Sequence, residues 1–421
     1  AALTLRRSMV RVHSGLPIFY PGGIMKIFTY LTLFLFSIFS LDADAYKTPI
    51  NKWIESSPES LGIKSKKVNS LFTQAFEDDA TQAVVLIKDG HLIAEQYAEG
   101  FNAKSFGTSW SMAKSYYAAL IGISIDKGEI NSLDDPVSMY IDHFDDERSK
   151  ITIRQILNMT SGLEFPEDEH ERMFLQPDQL AYAKSIKKEK EPNLRFEYNN
   201  VNSMLLGDIL FSVTGIKADI LLYKRILNPI GINQSTLWKD ESGNVLSYCC
   251  IDMSARDYSR FGLLFANDGK WGDKQIISKE YIDETFTTVW DFKKYGQPGG
   301  GYSLHWWMSK DDEEGQIFNA SGKFGQYTFV DRKNGIVFTR ITKYHPTAGS
   351  QQKWGEYKWL REIPSIETTV KVWRFLEDEG LMNLKDGSIQ VPITRMDGEQ
   401  KEFRENFFSI VDLIADLSRE D

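Results

Sequence analysis

The stretch TSWSMAKSYYAAL, residues 108–120, holds a serine and a lysine three positions apart, Ser111 and Lys114. Residues at positions i and i+3 share one face of a helix, so this spacing sets a hydroxyl group beside an amine. The same spacing occurs three more times in the chain, at Ser124/Lys127, Ser185/Lys188 and Ser350/Lys353. The surroundings of each pair must therefore show which amine is able to lose its proton.

Three of the four pairs lie in polar or helix-ending surroundings. Ser185/Lys188 is part of the lysine-rich AKSIKKEKEP and Ser350/Lys353 is part of the polar AGSQQKWG, where an amine stays hydrated and charged. Lys127 comes directly before Gly128 at the end of a predicted helix, and a helix C-terminus favours a protonated cation. We interpret these pairs as surface residues and a helix cap.

Ser111 and Lys114 differ because they begin the predicted helix 112–127, whose apolar run YYAALIGISI follows at once. The positive end of the helix dipole stabilises negative charge that develops on the serine. Burial of Lys114 without a carboxylate partner is costly unless its pKa falls. The local sequence thus offers a nucleophile with its base, and leaves open that Ser111 is only a helix N-cap.

Composition and charge restrict the class of protein. The chain has 421 residues, of which 42% are hydrophobic and 13% aromatic, enough for a large buried core. Its net charge of −10 argues against nucleic acid or an anionic membrane as partner. The two cysteines are the neighbours Cys249 and Cys250, which we predict to be buried, reduced thiols. No Cys/His array indicates a metal, and we expect no cofactor.

Residues 25–45 have the organisation of a signal peptide. The segment MKIFTYLTLFLFSIFS is followed by LDADAY, in which Ala43 and Ala45 are the small residues of a cleavage site. The apolar run is shorter than the roughly 20 residues of a membrane span. We therefore expect cleavage after Ala45, export to the periplasm or medium, and no stable membrane insertion afterwards; an uncleaved anchor is the alternative. Residues 1–24 are interpreted as upstream translated sequence.

The remaining chain, 46–421, combines hairpins with helices. Two hairpins are predicted, at 83–97 around Asp89-Gly90 and at 326–341 around Asn334-Gly335. Between them, helix-like periodicity occurs at 112–127, 152–159, 176–188, 200–213, 217–227, 254–267 and 278–286. The pattern predicts an α+β fold in which an antiparallel sheet is flanked by helices and a mainly helical lobe, about 130–300, is inserted.

The end of the chain divides into two parts. Residues 342–400 show no sustained period and form an atypical C-terminal segment. The stretch FRENFFSIVDLIADL, 403–417, is strongly amphipathic. It predicts a helix that packs its apolar face on the sheet.

Several ordered motifs resemble a known family. SMAK is followed by ITIRQILNMTSGLEF, RFEYNNVNSMLLGDIL, MSARDYSRFGLLFANDGKW and ASGKFGQYTFV, over roughly residues 80–341. This series is similar to the serine β-lactamase-like superfamily, in particular to its esterases, class C β-lactamases and 6-aminohexanoate-dimer hydrolases. The resemblance implies a sheet-and-helix domain plus a helical domain, with the active site between them.

The resemblance also implies roles for individual residues. Ser111 matches the nucleophile and Lys114 its base, while Tyr198 and Asn200 match a Tyr-x-Asn element. Tyr198 would share or relay the proton and deliver it to the leaving group, and Asn200 would orient the substrate. Taken alone, Tyr198 is better explained as a buried aromatic residue with a satisfied hydroxyl, and Asn200 is equally explained as an N-cap; the company of the other motifs favours the roles in the site.

The third family element falls at Ala320-Ser321-Gly322 and departs from the usual pattern. Relatives carry Lys or His at the position of Ala320, where it helps to bind a β-lactam carboxylate, so penicillin hydrolysis is not expected. Ser321 and Gly322 would contact or orient the substrate, and Gly322 permits close backbone approach. The resemblance makes the backbone amides of Ser111 and Lys323 the oxyanion hole.

The segment GYSLHWWM, 301–308, resembles an aromatic border of the family's cleft, so Trp306 or Trp307 is expected to line the acyl site, with core packing as the alternative. His305 is predicted to be structural. We expect an exported serine hydrolase that cleaves small-molecule carboxylic esters or linear amides through an acyl-enzyme. The rivals are a β-lactamase, a D-amino-acid peptidase, and a non-catalytic cell-wall or penicillin-binding protein.

Overall fold

The computed structural model describes residues 48–49, 52–165, 169–174, 176–287, 290–295, 300–312, 315–343 and 401–419. Within them the helices are α1 Ser65–Phe76, α2 Ala113–Asp126, α3 Ile153–Leu157, α4 Glu169–Phe174, α5 Gln179–Ser185, α6 Asn200–Thr214, α7 Ala218–Leu222, α8 Ala255–Ala266, α9 Lys279–Thr285 and α10 Lys401–Asp416. The strands are β1 Ile54–Glu55, β2 Thr81–Lys88, β3 His91–Tyr97, β4 Phe106–Thr108, β5 Thr236–Leu237, β6 Ile251–Ser254, β7 Lys270–Trp271, β8 Lys274–Gln275, β9 Trp290–Asp291, β10 Gly301–Ser303, β11 Trp306–Asp312, β12 Gly315–Gly322, β13 Gln326–Asp331 and β14 Ile336–Thr342.

Nine strands of the described residues form one sheet, in the order β1-β3-β2-β14-β13-β12-β11-β10-β9. Neighbouring strands run antiparallel, apart from the parallel pair of β1 and β3. The chain leaves the sheet after β3, forms helices α2 to α9, and returns at β9. Sheet and helices together confirm the predicted α+β fold.

Both predicted hairpins are present. Asp89 and Gly90 join β2 to β3 with φ angles of 47° and 80°, the left-handed backbone that a two-residue hairpin turn requires. The second connection is longer than its Asn-Gly pair suggests, because four residues separate β13 from β14. The Asp331 carboxylate accepts hydrogen bonds from the Asn334 backbone (3.0 Å) and side chain (2.7 Å), which fixes this loop.

The two faces of the sheet bury different helices. On β2, Val85 and Ile87 pack in the core that contains residues of α2 and α8, whereas Val84 and Leu86 pack with α1 and α10. Alternate residues of a strand face opposite sides, so β2 is apolar on both. Each such side chain contributes about 1.5–3 kcal/mol when fully buried. Helix α10 confirms the helix predicted at 403–417.

Several predictions fall outside the described residues. They concern the upstream segment 1–24, the signal peptide 25–45, the pair Ser350/Lys353, and nearly all of the segment 342–400. In the described part of the chain, no helix combines the length and the apolar character needed to span a bilayer.

Candidate active site

The turn that carries Ser111 is held from one side by β6. Strand β4 pairs with β6, and beyond β4 the Ser109 backbone N–H donates to Ile251 O (2.8 Å) while the Ile251 N–H donates to Ser109 Oγ (2.9 Å). Trp110 then adopts a left-handed φ of 46°, a conformation that costs a bulky residue about 1–3 kcal/mol. Ser111 follows in a single 3-10 turn, Trp110–Met112, that leads directly into α2.

Lys114 lies on the first turn of α2, and only 1% of its surface is exposed. Its Nζ is 3.0 Å from Ser111 Oγ and donates a hydrogen bond to the Tyr248 carbonyl oxygen at 2.8 Å. Burial lowers the pKa of Lys114 well below its ordinary value of 10.5. The structure thus places an amine with a depressed pKa against the serine hydroxyl.

Tyr198 completes a group of three side chains around the serine hydroxyl. Its ring centroid lies 4.9 Å from Lys114 Nζ, and its hydroxyl is hydrogen-bonded to Ser111. Burial raises the pKa of Tyr198 above its usual range, although the bond to Ser111 opposes the shift. Tyr198 is therefore a protonated phenol that is able to donate a proton, and Lys114 is the stronger candidate for the base.

The start of α6 distinguishes the two neighbouring asparagines. The Asn199 side chain caps the helix and accepts a hydrogen bond from the Val201 N–H at 2.9 Å. Asn200 is the first residue of the helix, is 7% exposed, and follows Tyr198 by two positions. The N-cap explanation of Asn200 is therefore wrong, because Asn199 fills that role.

The end of β12 lies directly against the turn that carries Ser111. We call this turn, with its residues 109–112, the serine turn. A Cβ atom at Gly322 would stand 2.1 Å from Ser109 O and 3.1 Å from Trp110 Cβ, so no residue larger than glycine fits without displacement. Ala320, two residues earlier, is 1% exposed, and Ser321 between them is half-buried. Lys323 comes next, with an exposed side chain that lies over the Phe324 ring at 4.9 Å.

A family model named Beta-lactamase matches residues 72–361 of the chain. The chain belongs to the beta-lactamase family. It is 21% identical to the 6-aminohexanoate-dimer hydrolase of Paenarthrobacter ureafaciens over 302 residues, which cover 64% of this chain and 74% of that protein. It is 28% identical to the D-aminopeptidase of Brucella anthropi over 174 residues, 37% of this chain and 32% of the relative.

Among solved structures, a Bacillus anthracis protein provisionally named 6-aminohexanoate-dimer hydrolase is similar with a TM-score of 0.58 and 20% identity, covering 80% of this chain and 90% of that one. These relatives confirm the predicted resemblance. The family model establishes the family, and the solved structure establishes the β-lactamase-like fold.

The two neighbouring tryptophans of this beta-lactamase family chain point to opposite faces of β11. Trp306 is fully buried, with its ring 4.6 Å from Phe265 and 6.0 Å from Phe261. The expectation that it lines the acyl site is wrong, because it is part of the core between sheet and helices. Trp307 is partly exposed, and its ring centroid lies 5.3 Å from that of Tyr198.

His305 connects the two helices that carry the site. Its ring Nε2 lies 3.0 Å from Ser203 Oγ on α6, and its carbonyl oxygen accepts a hydrogen bond from Ser115 Oγ on α2 at 2.7 Å. Its Nδ1 lies 3.3 Å from the Tyr302 hydroxyl. Burial, and then the nearby Lys114, lower the pKa of His305 well below its ordinary value, so the ring is neutral. Nothing in the sequence distinguishes this histidine from the others.

The two other Ser/Lys pairs within the described residues, Ser124/Lys127 and Ser185/Lys188, have the surroundings that the sequence predicts. Ser124 Oγ accepts a hydrogen bond from Arg225 (3.1 Å), whereas Lys127 is exposed at the end of α2. Lys188 forms an ion pair with Glu191 at 2.6 Å. Lys127 is therefore exposed to water and Lys188 is paired with a carboxylate, unlike the buried Lys114.

The cysteine prediction is confirmed for burial, since Cys249 and Cys250 are 4% and 0% exposed, but it is wrong about the reduced state. Cys249 and Cys250, which directly follow Tyr248, are joined as a disulfide in the structure. Their segment also contacts the serine turn, since the Cys250 N–H donates to Trp110 O at 3.2 Å. Among the described residues, no group of three His, Cys, Asp or Glu side chains is arranged to hold a metal ion.

Proposed function

We propose that the protein is an exported serine hydrolase that cleaves carboxylic esters or small linear amides through an acyl-enzyme on Ser111. One observation carries the proposal: the buried Lys114 Nζ lies 3.0 Å from Ser111 Oγ. A neutral amine at this distance is able to accept the serine proton as the oxygen attacks a carbonyl carbon.

In the acylation step, Ser111 Oγ bonds to the carbonyl carbon and its proton moves to Lys114. The carbonyl oxygen becomes an oxyanion, which the backbone amides of Ser111 and Lys323 are proposed to bind. Tyr198 then gives its proton to the leaving oxygen or nitrogen as that bond breaks, and recovers a proton from Lys114. A water molecule repeats the same sequence on the acyl-enzyme and releases the acid.

Substrate preference follows from the position of Ala320. A buried methyl group there offers no positive charge to a substrate carboxylate, which disfavours β-lactams. The 6-aminohexanoate-dimer hydrolase supports linear amides as substrates, and the D-aminopeptidase supports D-amino-acid peptides as the second candidate. Asn200, Ser321 and Gly322 are proposed to orient the substrate.

The proposal predicts a burst of p-nitrophenol from p-nitrophenyl acetate, followed by slower turnover, as the acyl-enzyme forms and is hydrolysed. Ser111→Ala is expected to abolish both phases, whereas the control Ser124→Ala, in the similarly spaced pair, is expected to retain them. A fluorophosphonate should label Ser111, located by peptide mass spectrometry. Labelling of a different serine would contradict the assignment.

A panel of linear amides, esters, β-lactams and D-amino-acid peptides separates the rival activities. Turnover confined to β-lactams or to D-peptides would replace the ester and amide assignment. Binding without turnover of any substrate would favour a non-catalytic cell-wall or penicillin-binding protein.

Export is proposed from residues 25–45, and with it a periplasmic or secreted location without stable membrane insertion. The acidic net charge of −10 supports a small-molecule substrate rather than nucleic acid as partner. N-terminal sequencing of the mature protein is expected to begin at Tyr46. A mature protein that still contains Met25 would contradict the predicted cleavage.

A further inference from the structure

A cluster of five aromatic side chains stands beside the serine, and we call it the aromatic wall. We define it as Phe196, Tyr198, Phe292, Tyr302 and Trp307, which belong to a larger cluster that also contains the buried Met159 and Trp290. Trp307 lies 4.8 Å from Tyr302 and 5.3 Å from Tyr198, and Phe196 lies 5.1 Å from both Phe292 and Tyr302, measured between ring centroids. Each ring thus packs against at least two others.

Part of the aromatic wall remains open to solvent. Phe196, Tyr198 and Trp307 are half-buried, whereas Phe292 and Tyr302 behind them are buried. The buried rings support the three open ones from the side of the core. A supported and partly exposed aromatic surface next to a reactive hydroxyl is suited to contact an apolar part of a substrate.

The wall itself contains no charged side chain. Glu197 lies between Phe196 and Tyr198 in sequence, but its carboxylate forms ion pairs with Lys190 at 2.9 Å and with Arg195. The two cations therefore balance the charge of this carboxylate. The wall offers ring faces and edges rather than a site for a carboxylate or phosphate.

We propose that the aromatic wall is the leaving-group subsite and that it selects esters and amides of aromatic alcohols or amines. The inference rests on the proposed function, in which Tyr198 gives its proton to the leaving atom. The group attached to that atom must then lie next to Tyr198, whose ring is 5.3 Å from that of Trp307, and the Trp307 ring is in turn 6.0 Å from Phe196. The acyl group stays on Ser111 and need not contact the wall.

The inference is tested with Trp307→Ala and four substrates: phenyl acetate, 2-naphthyl acetate, trifluoroethyl acetate and phenyl hexanoate. Comparing each substrate with itself in the two enzymes removes differences in leaving-group acidity. Loss of the ring contact is expected to lower kcat/KM about tenfold for the three aryl esters and less than about twofold for trifluoroethyl acetate. The loss should be the same for phenyl acetate and phenyl hexanoate.

Two further variants serve as controls. Trp307→Phe keeps a ring and is expected to restore most of the aryl preference, so a folding defect of the alanine variant cannot imitate the effect. Phe408→Ala, which removes an exposed ring on α10, should leave all four rates unchanged. Acetylcholine is added to detect a site for a cationic leaving group, because aromatic faces also bind cations.

Equal losses on all leaving groups, a loss that grows with acyl length, or a Trp307-dependent preference for acetylcholine would each overturn the inference. Failure of the proposed function has a different signature. In that case wild-type protein hydrolyses none of the esters and forms no acetyl-enzyme on Ser111.

Discussion

Lys114 illustrates how burial decides what a side chain does. Lys114 and Lys127 each follow a serine by three positions. Lys114 lies on the first turn of α2, and Lys127 is the C-cap of the same helix. Lys114 is 1% exposed, and its pKa is lowered by burial, whereas Lys127 is exposed. The same chemical group therefore has a depressed pKa in the first position, where we propose that it acts as the base, and is solvated in the second.

This difference in burial predicts how a permanent positive charge at each lysine position affects activity. Lys114→Arg is expected to lower kcat/KM for p-nitrophenyl acetate at least about 100-fold, because arginine cannot lose its proton at working pH. Lys127→Arg, the matched control, should change it less than about twofold. Retained activity in Lys114→Arg would remove Lys114 as the base.

The pH profile follows from the same residue. The wild-type rate should rise with pH as the Lys114 amine is deprotonated and become level above its lowered pKa, well below 10.5. A rate constant that climbs only near the ordinary lysine pKa would contradict a buried neutral amine. Measurement of kcat/KM between pH 5 and 10 distinguishes the two profiles.

At the scale of elements, the site depends on three pieces of backbone that meet at fixed distances. The serine turn is tied to β6, the end of β12 lies against it, and His305 links α2 to α6 through hydrogen bonds to Ser115 and Ser203. The residues of the proposed catalytic group thus come from elements that lie far apart in sequence. The alignment of these residues depends on the close contacts between the three pieces of backbone, which leave little free space.

Gly322 is the narrowest of these contacts. Gly322→Ala places a methyl group where Ser109 O lies at 2.1 Å, so the strand and the turn must separate. We expect a stability loss of about 1–3 kcal/mol and a kcat/KM about 100-fold lower, since a displacement of about 1 Å disturbs catalytic alignment.

Gly207→Ala is the matched control for Gly322. It lies within α6, and the nearest atom to its added Cβ is Ser247 Oγ at 3.5 Å, an ordinary contact. It should keep activity and be as stable as the wild type or more stable by up to about 1 kcal/mol. Thermal unfolding and ester kinetics on both variants provide the comparison, and normal activity of Gly322→Ala would contradict the close approach.

For the whole molecule, stability and the site are linked through a buried carboxylate. Asp252 on β6 accepts hydrogen bonds from the Thr108 hydroxyl and, at 3.1 Å, from Trp238 Nε1. Burial raises the pKa of Asp252 from 3.8 to about 7, and the two hydrogen bonds only partly oppose the shift. The Asp252 carboxyl therefore loses its proton near neutral pH. It is hydrogen-bonded to Thr108, which lies just before the serine turn.

The raised pKa fixes the sign of the pH effect on unfolding. The folded protein holds this proton up to a pH near 7, while the unfolded chain releases it near 3.8. Stability from Asp252 therefore falls as pH rises through this window, with a full cost of about 4 kcal/mol above it. Between pH 5 and pH 8, the free energy of unfolding of the wild type should fall by about 3 kcal/mol relative to that of Asp252→Asn.

Urea unfolding of wild type and Asp252→Asn at both pH values measures this difference. Other titrating groups, such as Lys114 and His305, are common to the two proteins and cancel. The surface variant Asp273→Asn should follow the wild type at both pH values. Parallel stabilities of wild type and Asp252→Asn would show that the carboxylate does not titrate in this range.

The sequence alone determined what depends on neighbours along the chain. Period 3.6 and period 2 patterns predicted the two hairpins, the α+β class and most of the helices, though not α1 or α4, because local backbone geometry repeats at those intervals. The ordered motifs predicted the family and the meeting of Ser111, Lys114 and Tyr198. The difference between Ser111/Lys114 and the other pairs was also visible, since it follows from adjacent apolar residues.

Only the tertiary structure decided which side chains face the site. Trp306 and Trp307 are equivalent in sequence, but the pleat of β11 sends the first into the core and the second to Tyr198. His305 links two helices through partners that lie 102 and 190 positions away in sequence. Such contacts depend on the packing of the whole chain, because distant residues meet only after sheet and helices close around a common core.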